Sequence, residues 1–271
     1  MSTFESNAIP IKKLYDSISV WIDEKIFMDY FSKICDEFDR DWNKDSRKNH
    51  WKSAKVRVLL HIHERLELIS HLKNEIGDSF FKRYKYPELI TYLYLTCFDQ
   101  LGQPSNWMTF DSWIKSSKKK QERQEAIEKA NHLSKLEFAE SLFNFYHVRY
   151  GVKNSFYKFL REILPKEIRS NLFDRIQILI NDEASPTLLG RNSTEKDKED
   201  YLFKARNEYT HNTFANAPIL GVTKANKDGW VFRESVFQGT ETHFISTQDN
   251  FEIGLHECVL IGISEKIKRN Y

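Results

Sequence analysis

Apolar residues recur at helical spacing along most of this chain. From Ile11 to about Trp42, and again from about Trp51 to Ile76, they return every three or four positions, which predicts two long amphipathic segments. Between Pro87 and Gly102 the sequence ELITYLYLTCFDQL is apolar almost all round, except for Asp99 and Gln100. A helix with so little polar surface is buried on most sides, so we expect this one to be the central helix of the fold.

Further helices are predicted from Ile127 to Tyr146 and over about Ser155–Ile163, Lys166–Ile180, Glu195–Thr213 and Asn250–Lys268. Only Ala215–Gln248 departs from this pattern, since alternating runs at Gly229–Ser235 and Thr240–Ser246 predict a small β-hairpin. There is no internal repeat and no clear linker. We therefore predict an all-α fold, in which a helical N-terminal extension (1–85) packs on a helical domain (86–271) that carries a small β-hairpin insertion.

Composition favours the same class of fold. The 271 residues include only 9 Gly and 6 Pro, too few for the closely spaced turns of a β-sandwich or barrel. The N-terminus has no apolar core typical of a signal peptide, and no long uncharged apolar run could cross a membrane. We therefore expect a cytoplasmic protein without a membrane partner. The three cysteines are far apart in sequence and form no CxxC pair, so we expect them to be buried packing residues.

The net charge is only +2, but two tracts are locally basic. Lys115–Lys135 and Arg149–Arg175 each hold seven Lys or Arg against three acidic residues. Charge runs of this kind are usually solvated helix faces. The functional alternative is a phosphate-binding surface. Its candidate RNA contacts are Lys118, Lys119, Lys120, Arg123, Lys158 and Arg161.

Short motifs for metals and nucleotides are absent or incomplete. His61, His63 and Glu64 invite a metal interpretation, but the HExxH pattern would need a histidine where the chain has Glu67. His61 and His63 point to different sides of a helix, with His63 on its apolar stripe. No P-loop, dinucleotide fingerprint or nucleophile elbow occurs, and so we predict neither a metal nor a cofactor.

One segment, ARNEYTHN, contains residue types that could act together in catalysis. Arg206 and His211 lie five residues apart on a predicted helix, about 140° apart around its axis and about 7.5 Å along it. Asn207 shares the face of His211. Arg and His at similar spacing occur three times in the chain, at Arg57/His63, Arg65/His71 and Arg206/His211. The first two pairs enclose apolar residues and are typical of ordinary amphipathic helices, whereas the third encloses polar ones.

RNEYTH, late in a helical chain and followed by another amphipathic helix, resembles the signature of the HEPN superfamily. That signature is Arg, a polar residue that is often Asn, three further residues and His. The segment TYLYLTCFDQLG also resembles the buried HEPN helix that packs against the motif helix. The likeness covers about Tyr86–Tyr271 and leaves residues 1–85 unmatched.

The resemblance implies metal-independent RNA cleavage, with two motifs that meet across a homodimer interface. His211 suits general acid or base catalysis. Arg206 suits binding of the phosphate oxygens and stabilisation of their charge in the transition state, and Asn207 would orient the imidazole or the phosphate. Asp99 either holds Arg206 in place or is a surface residue at a helix end. Gly254 and Gly262 lie on nearly one face of the last helix, and so we expect them at a subunit interface.

We therefore expect a dimeric endoribonuclease whose products carry 2′,3′-cyclic phosphate and 5′-OH ends. By resemblance its setting is that of a toxin or antiviral defence effector, with an antitoxin or regulatory protein as a further partner. Two alternatives stay open. One is a catalytically inactive HEPN-like module that binds RNA or protein, and the other is an interaction protein whose aromatic-rich helices bind another polypeptide.

Overall fold

Three helices begin the chain in the computed structural model, which describes residues 8–42, 50–75, 80–182, 191–212, 227–238 and 241–269. They are α1 (Ala8–Ile18), α2 (Glu24–Trp42) and α3 (His50–Glu75). The segment with helical spacing at 11–42 is thus two helices. The carboxylate of Asp23 accepts from the backbone N–H of Lys25 at 2.9 Å and starts α2 as an N-cap.

The central helix α4 runs over Phe80–Gly102 and is packed by α3 and by later helices. The helix expected between Pro87 and Gly102 therefore begins earlier than predicted, seven residues before Pro87. Proline removes one donor from the helix ladder, and the extensive burial of α4 outweighs that loss. Gly102 does end the helix, as predicted. A Cβ atom there would lie 1.7 Å from the carbonyl oxygen of Ser155, so this glycine permits a close helix contact.

A helical hairpin with its own small aromatic core follows. It consists of α5 (Phe110–Lys115), a 3-10 turn (Ser117–Lys119), α6 (Lys120–Ala130) and α7 (Lys135–Tyr150). A capping box between Ser134 and Glu137 starts α7. Trp113, Tyr146 and Tyr150 form an apolar cluster separate from the main core.

The chain then changes from helix to strand. The elements here are α8 (Val152–Lys158), a π-helical turn (Phe159–Ile163), α9 (Lys166–Phe173), β1 (Ile176–Asp182) and β2 (Arg191–Asn192). The predicted helix over 166–180 is therefore wrong after Phe173. Beyond Phe173 the burial of side chains alternates, which is typical of a β-strand. Ile176, Ile178 and Ile180 are buried, while Gln177 and Leu179 between them are exposed.

The predicted hairpin is confirmed as β3 (Trp230–Gln238) and β4 (Glu241–Gln248). With β1 and β2 these strands form an antiparallel sheet in the order β2-β1-β4-β3. One face packs on the helical core through Ile178, Ile180 and Ile245. The fold is thus mostly helical with a small β element, as predicted, although that element is a sheet and not a hairpin alone.

Two further helices complete the core. They are α10 (Glu195–Asn212) and α11 (Phe251–Lys268). A Cβ atom at Gly262 would lie 2.4 Å from the ring of Phe159, and one at Gly254 would lie 3.0 Å from the side chain of Arg175. Both glycines therefore serve packing within the chain, and their expected place at a subunit interface is wrong.

The main core is shared by the two predicted domain ranges. One cluster of buried side chains extends from Ile11 in α1 to Ile267 in α11, and the boundary expected at residue 85 falls inside α4. The cysteines are buried thiols, as predicted: Cys35 in α2, Cys97 in α4 and Cys258 in α11. None of the helices within the described ranges is long and apolar enough to cross a membrane.

Candidate functional site

An ion pair between α4 and α10 forms the centre of the candidate site. Arg206 donates from Nε to Oδ2 of Asp99 at 2.8 Å, and its Nη2 lies 2.7 Å from the same oxygen as an ion pair. Both side chains are largely withdrawn from solvent, with 16% of Arg206 and 6% of Asp99 exposed. The predicted contact between these residues is therefore present, and the alternative of a surface position for Asp99 is wrong.

The other edge of the Arg206 guanidinium is held from its own helix. Its Nη1 donates to Oδ1 of Asn207 at 3.1 Å and lies 3.5 Å from Oγ1 of Thr210. The Thr210 hydroxyl in turn donates to the Arg206 carbonyl oxygen at 3.1 Å. Asn207 thus orients the arginine, a contact that the sequence did not predict. Thr210 was also missed, although its position four residues after Arg206 places both on one helix face.

His211 lies in α10, as predicted, and its side chain falls outside the described part of the structure. Since α10 is helical from Glu195 to Asn212, the backbone fixes the relation between the two motif residues. Arg206 and His211 stand about 140° apart around one helix axis and about 7.5 Å along it.

The Asp99 carboxylate is unevenly satisfied. Oδ2 contacts Nε and Nη2 of Arg206, whereas Oδ1 is buried and finds no hydrogen-bond partner among the described residues. Burial raises the pKa of Asp99 from 3.8 to about 7, although the charges of Arg206 and Arg65 act in the opposite direction. Asp99 therefore titrates near neutral pH.

Arg65 brings a second cation from α3 to the same face of α4. Its Nη1 donates to Oγ1 of Thr96 at 3.1 Å. With the Gln100 amide turned so that its oxygen faces α3, that oxygen accepts from Nη1 and Nη2 of Arg65 at 3.2 and 3.0 Å. Sequence reasoning set Arg65 aside because apolar residues separate it from His71. Only the packing of α3 on α4 shows where its guanidinium lies.

Three of the six predicted RNA contacts are engaged by the protein itself. Lys119 is buried, pairs with Glu122 and lies over the Tyr150 ring, while Arg123 donates to two carbonyl oxygens. Arg161 pairs with Glu199 of α10, two turns before Arg206. Pairing within the chain does not test whether a cation also binds phosphate, so these three stay predictions as RNA contacts.

Lys118, Lys120 and Lys158 stay predictions as RNA contacts. Lys118 and Lys120 line an open polar cleft along α6, together with Gln121, Gln124, Glu125 and Glu128. Lys158 is half-buried at the end of α8, an element that packs on α10. Of the three, Lys158 is therefore on the element nearest in the fold to the motif helix.

The histidines singled out for a metal lie as expected. His61 is exposed and pairs with Glu64, whereas His63 is buried on the apolar side of α3. Within the described ranges, His, Cys, Asp and Glu side chains nowhere come together in the groups of three that a metal ion needs. Comparison of the chain with protein-family models, curated proteins and solved structures finds no match.

Proposed function

We propose that this chain is a metal-independent endoribonuclease that cleaves RNA through attack of the 2′-OH on the adjacent phosphate. The observation that supports it best is the buried pair of Asp99 with Arg206, which joins the motif helix to the central helix. The products would carry 2′,3′-cyclic phosphate and 5′-OH ends, because the 2′-OH is the nucleophile and the 5′ oxygen leaves.

Arg206 would stabilise charge on the pentacoordinate phosphorus. A guanidinium keeps its proton at any physiological pH and binds phosphate oxygens through a planar fork. Asp99 fixes one edge of that fork, and Asn207 with Thr210 fixes the other. A cation held in this way needs little reorganisation when negative charge develops, which is the condition for electrostatic catalysis.

His211 would transfer the protons. Its unperturbed pKa of about 6.5 suits both acceptance of the 2′-OH proton and donation to the leaving 5′ oxygen. One imidazole cannot do both in a single step. We therefore include a homodimer in the proposal, since a second copy would supply the second imidazole across a two-fold axis. We also propose that the chain acts on RNA in the cytoplasm as a toxin or defence effector. An antitoxin or regulatory protein would control its activity.

The decisive comparison is between the wild-type chain and His211→Ala on single-stranded RNA. We expect a loss of at least about 100-fold in cleavage rate, the usual worth of a general acid or base. His61→Ala removes an exposed histidine from α3 and should cleave like the wild type. Arg206→Lys keeps the charge but loses the fork, and should also be slow.

Two results would contradict the nuclease. The first is wild-type protein that cuts RNA no faster than His211→Ala. The second is cleavage that EDTA abolishes, because the proposed mechanism uses no metal. End analysis adds a third check, since products with 3′-OH ends are incompatible with attack by the 2′-OH.

The second candidate is a catalytically inactive module that binds RNA or protein. Its support is the low exposure of Arg206, whose Nε and Nη2 are both directed at a carboxylate of the same chain. Wild-type protein that binds RNA without cutting it, and whose affinity falls in Arg206→Lys, would favour this module over the enzyme.

A further inference from the structure

Arg65 and Arg206 approach one face of α4 from two different helices. Thr96, Asp99 and Gln100 stand at positions i, i+3 and i+4 of α4, and so they share that face. Arg206 reaches it from α10 and holds Asp99, while Arg65 reaches it from α3 and contacts Thr96 and Gln100. The two guanidiniums therefore flank the same short stretch of the central helix.

The charges around Asp99 do not balance. Arg65 contacts the neutral hydroxyl of Thr96 and the neutral amide of Gln100, and no carboxylate among the described residues forms an ion pair with it. Two arginines thus lie on the face of α4 that carries the single carboxylate of Asp99, which leaves a net charge of about +1 when Asp99 is ionised and about +2 when it is protonated. A partly buried surplus of positive charge is a site for an anion.

We propose that Arg65 and Arg206 together bind one phosphate of the RNA backbone, with Asp99 between them as the group that fixes Arg206. The identity of the ligand rests on the proposed function, whereas the pairing of the arginines rests on the contacts of α3, α4 and α10. Arg65 is half-buried, and Thr96 and Gln100 hold its guanidinium without neutralising it. The N-terminal helices thereby become part of the RNA-binding site.

The test is binding of a single-stranded RNA oligonucleotide methylated at every 2′ oxygen, which cannot be cleaved by 2′-OH attack. We expect Arg65→Gln to weaken binding about tenfold in every sequence tested, because a phosphate contact carries no sequence information. The slope of log affinity against log salt should also fall by about 0.7, the value for one phosphate contact on a single strand.

Two further variants separate a binding role from a structural one. Arg65→Lys keeps the charge and should keep most of the salt slope, even though it loses the fork on Gln100. Lys13→Gln removes an exposed cation of α1 that pairs with Glu67 of α3, the helix that carries Arg65, and should bind like the wild type. Thermal unfolding of each variant checks that the fold is retained.

An unchanged affinity and salt slope in Arg65→Gln would overturn the inference, and so would a wild-type chain that does not bind the methylated RNA. Neither result depends on cleavage. If wild-type protein leaves ordinary RNA intact but binds the methylated strand through Arg65, the nuclease fails and the anion site stands. If it cleaves RNA and Arg65 has no effect on binding, only the anion site fails.

Discussion

The two oxygens of the Asp99 carboxylate have opposite environments. Oδ2 accepts a charge-assisted hydrogen bond from Nε of Arg206 and lies in ion-pair contact with Nη2, whereas Oδ1 is buried without a partner among the described residues. Burial outweighs the charges of Arg206 and Arg65 and raises the pKa of this group to about 7. The folded chain therefore binds a proton at Asp99 under conditions in which the unfolded chain has lost it.

This difference predicts the pH dependence of stability. Because the pKa of Asp99 rises from 3.8 to about 7 on folding, its contribution is fully present below pH 4 and is lost as the pH rises through 7. Asp99→Asn cannot titrate. We expect the stability of the wild type relative to Asp99→Asn to fall by up to about 4 kcal/mol across that range, at about 1.4 kcal/mol per pKa unit.

Urea denaturation of both proteins between pH 4 and pH 8 measures this quantity. Glu137→Gln is a useful control, since Glu137 is an exposed cap residue whose pKa is lowered by its hydrogen bonds to Ser134. The stability of the wild type relative to Glu137→Gln should rise with pH, in the opposite direction to that at Asp99. A stability difference at Asp99 that grows as the pH rises would mean that the arginines outweigh burial.

The sequence predicted the centre of the site but not its surroundings. Arg206 and Asn207 were found because polar residues follow the arginine, and Asp99 because it is an isolated acid on an apolar helix. Arg65 and Thr210 carry no such local signal. Their roles depend on which helix faces meet, and that is decided by packing between residues far apart in the chain.

Among the elements, α4 depends on close approach to its neighbours. At Gly102 the carbonyl oxygen of Ser155 occupies the place where a side chain would begin. At the same end of the helix, Lys266 of α11 is buried and donates to the carbonyl oxygens of Leu101 and Gln103, each at 2.9 Å. A cation there complements the negative end of the helix dipole. The C-terminal end of α4 is thus fixed by α8 and α11 together.

Gly102→Ala should therefore destabilise the chain, even though alanine is the better helix former. A Cβ atom 1.7 Å from a backbone oxygen can be accommodated only if α8 moves. We expect a loss of about 3 kcal/mol or more in the free energy of unfolding, at the upper end of overpacking effects. The measurement is equilibrium denaturation, with Ser105→Ala in the exposed turn that follows as a control. A loss below about 1 kcal/mol would show that α8 yields easily.

The long helices were predictable because their apolar residues recur over many turns, and β1 was not. Its sequence, IQILIND, follows a helix that Pro165 opens, and a run of seven residues has too few repeats to separate period two from a helical period. The strand forms because β4 pairs with it along its whole length. The paired residues lie 59 to 71 positions apart in the chain, beyond the range of local pattern analysis.

At the scale of the molecule, the described part of the chain has two apolar cores of unequal size. The main cluster joins the N-terminal helices to α4, α10, α11 and the sheet, whereas the second is built around Trp113, Tyr146 and Tyr150. The helical hairpin α5–α7 encloses this second core, and it also leaves Leu136 and Phe143 substantially exposed. Its burial of apolar surface is therefore small relative to that of the rest of the chain.

This inequality predicts separate opening of the hairpin. Native-state hydrogen exchange should show lower protection in α6 and α7 than in α4 and α11, because local stability follows buried apolar contact. Trp113→Ala should lower the protection of α6 and α7 further and leave that of α11 nearly unchanged. Equal protection across all four helices would mean that the two cores unfold as one cooperative unit.

The three buried cysteines have a consequence for the chemistry of the folded chain. Thiolates, not thiols, react with alkylating agents and oxidants, and burial raises the pKa of Cys97 to about 12 and that of Cys258 well above its usual value. Each thiol lies in a different helix of the main core, at Cys35, Cys97 and Cys258. Alkylation at any of them therefore requires that its helix first become accessible, so that the chain carries three natural reporters of its own opening.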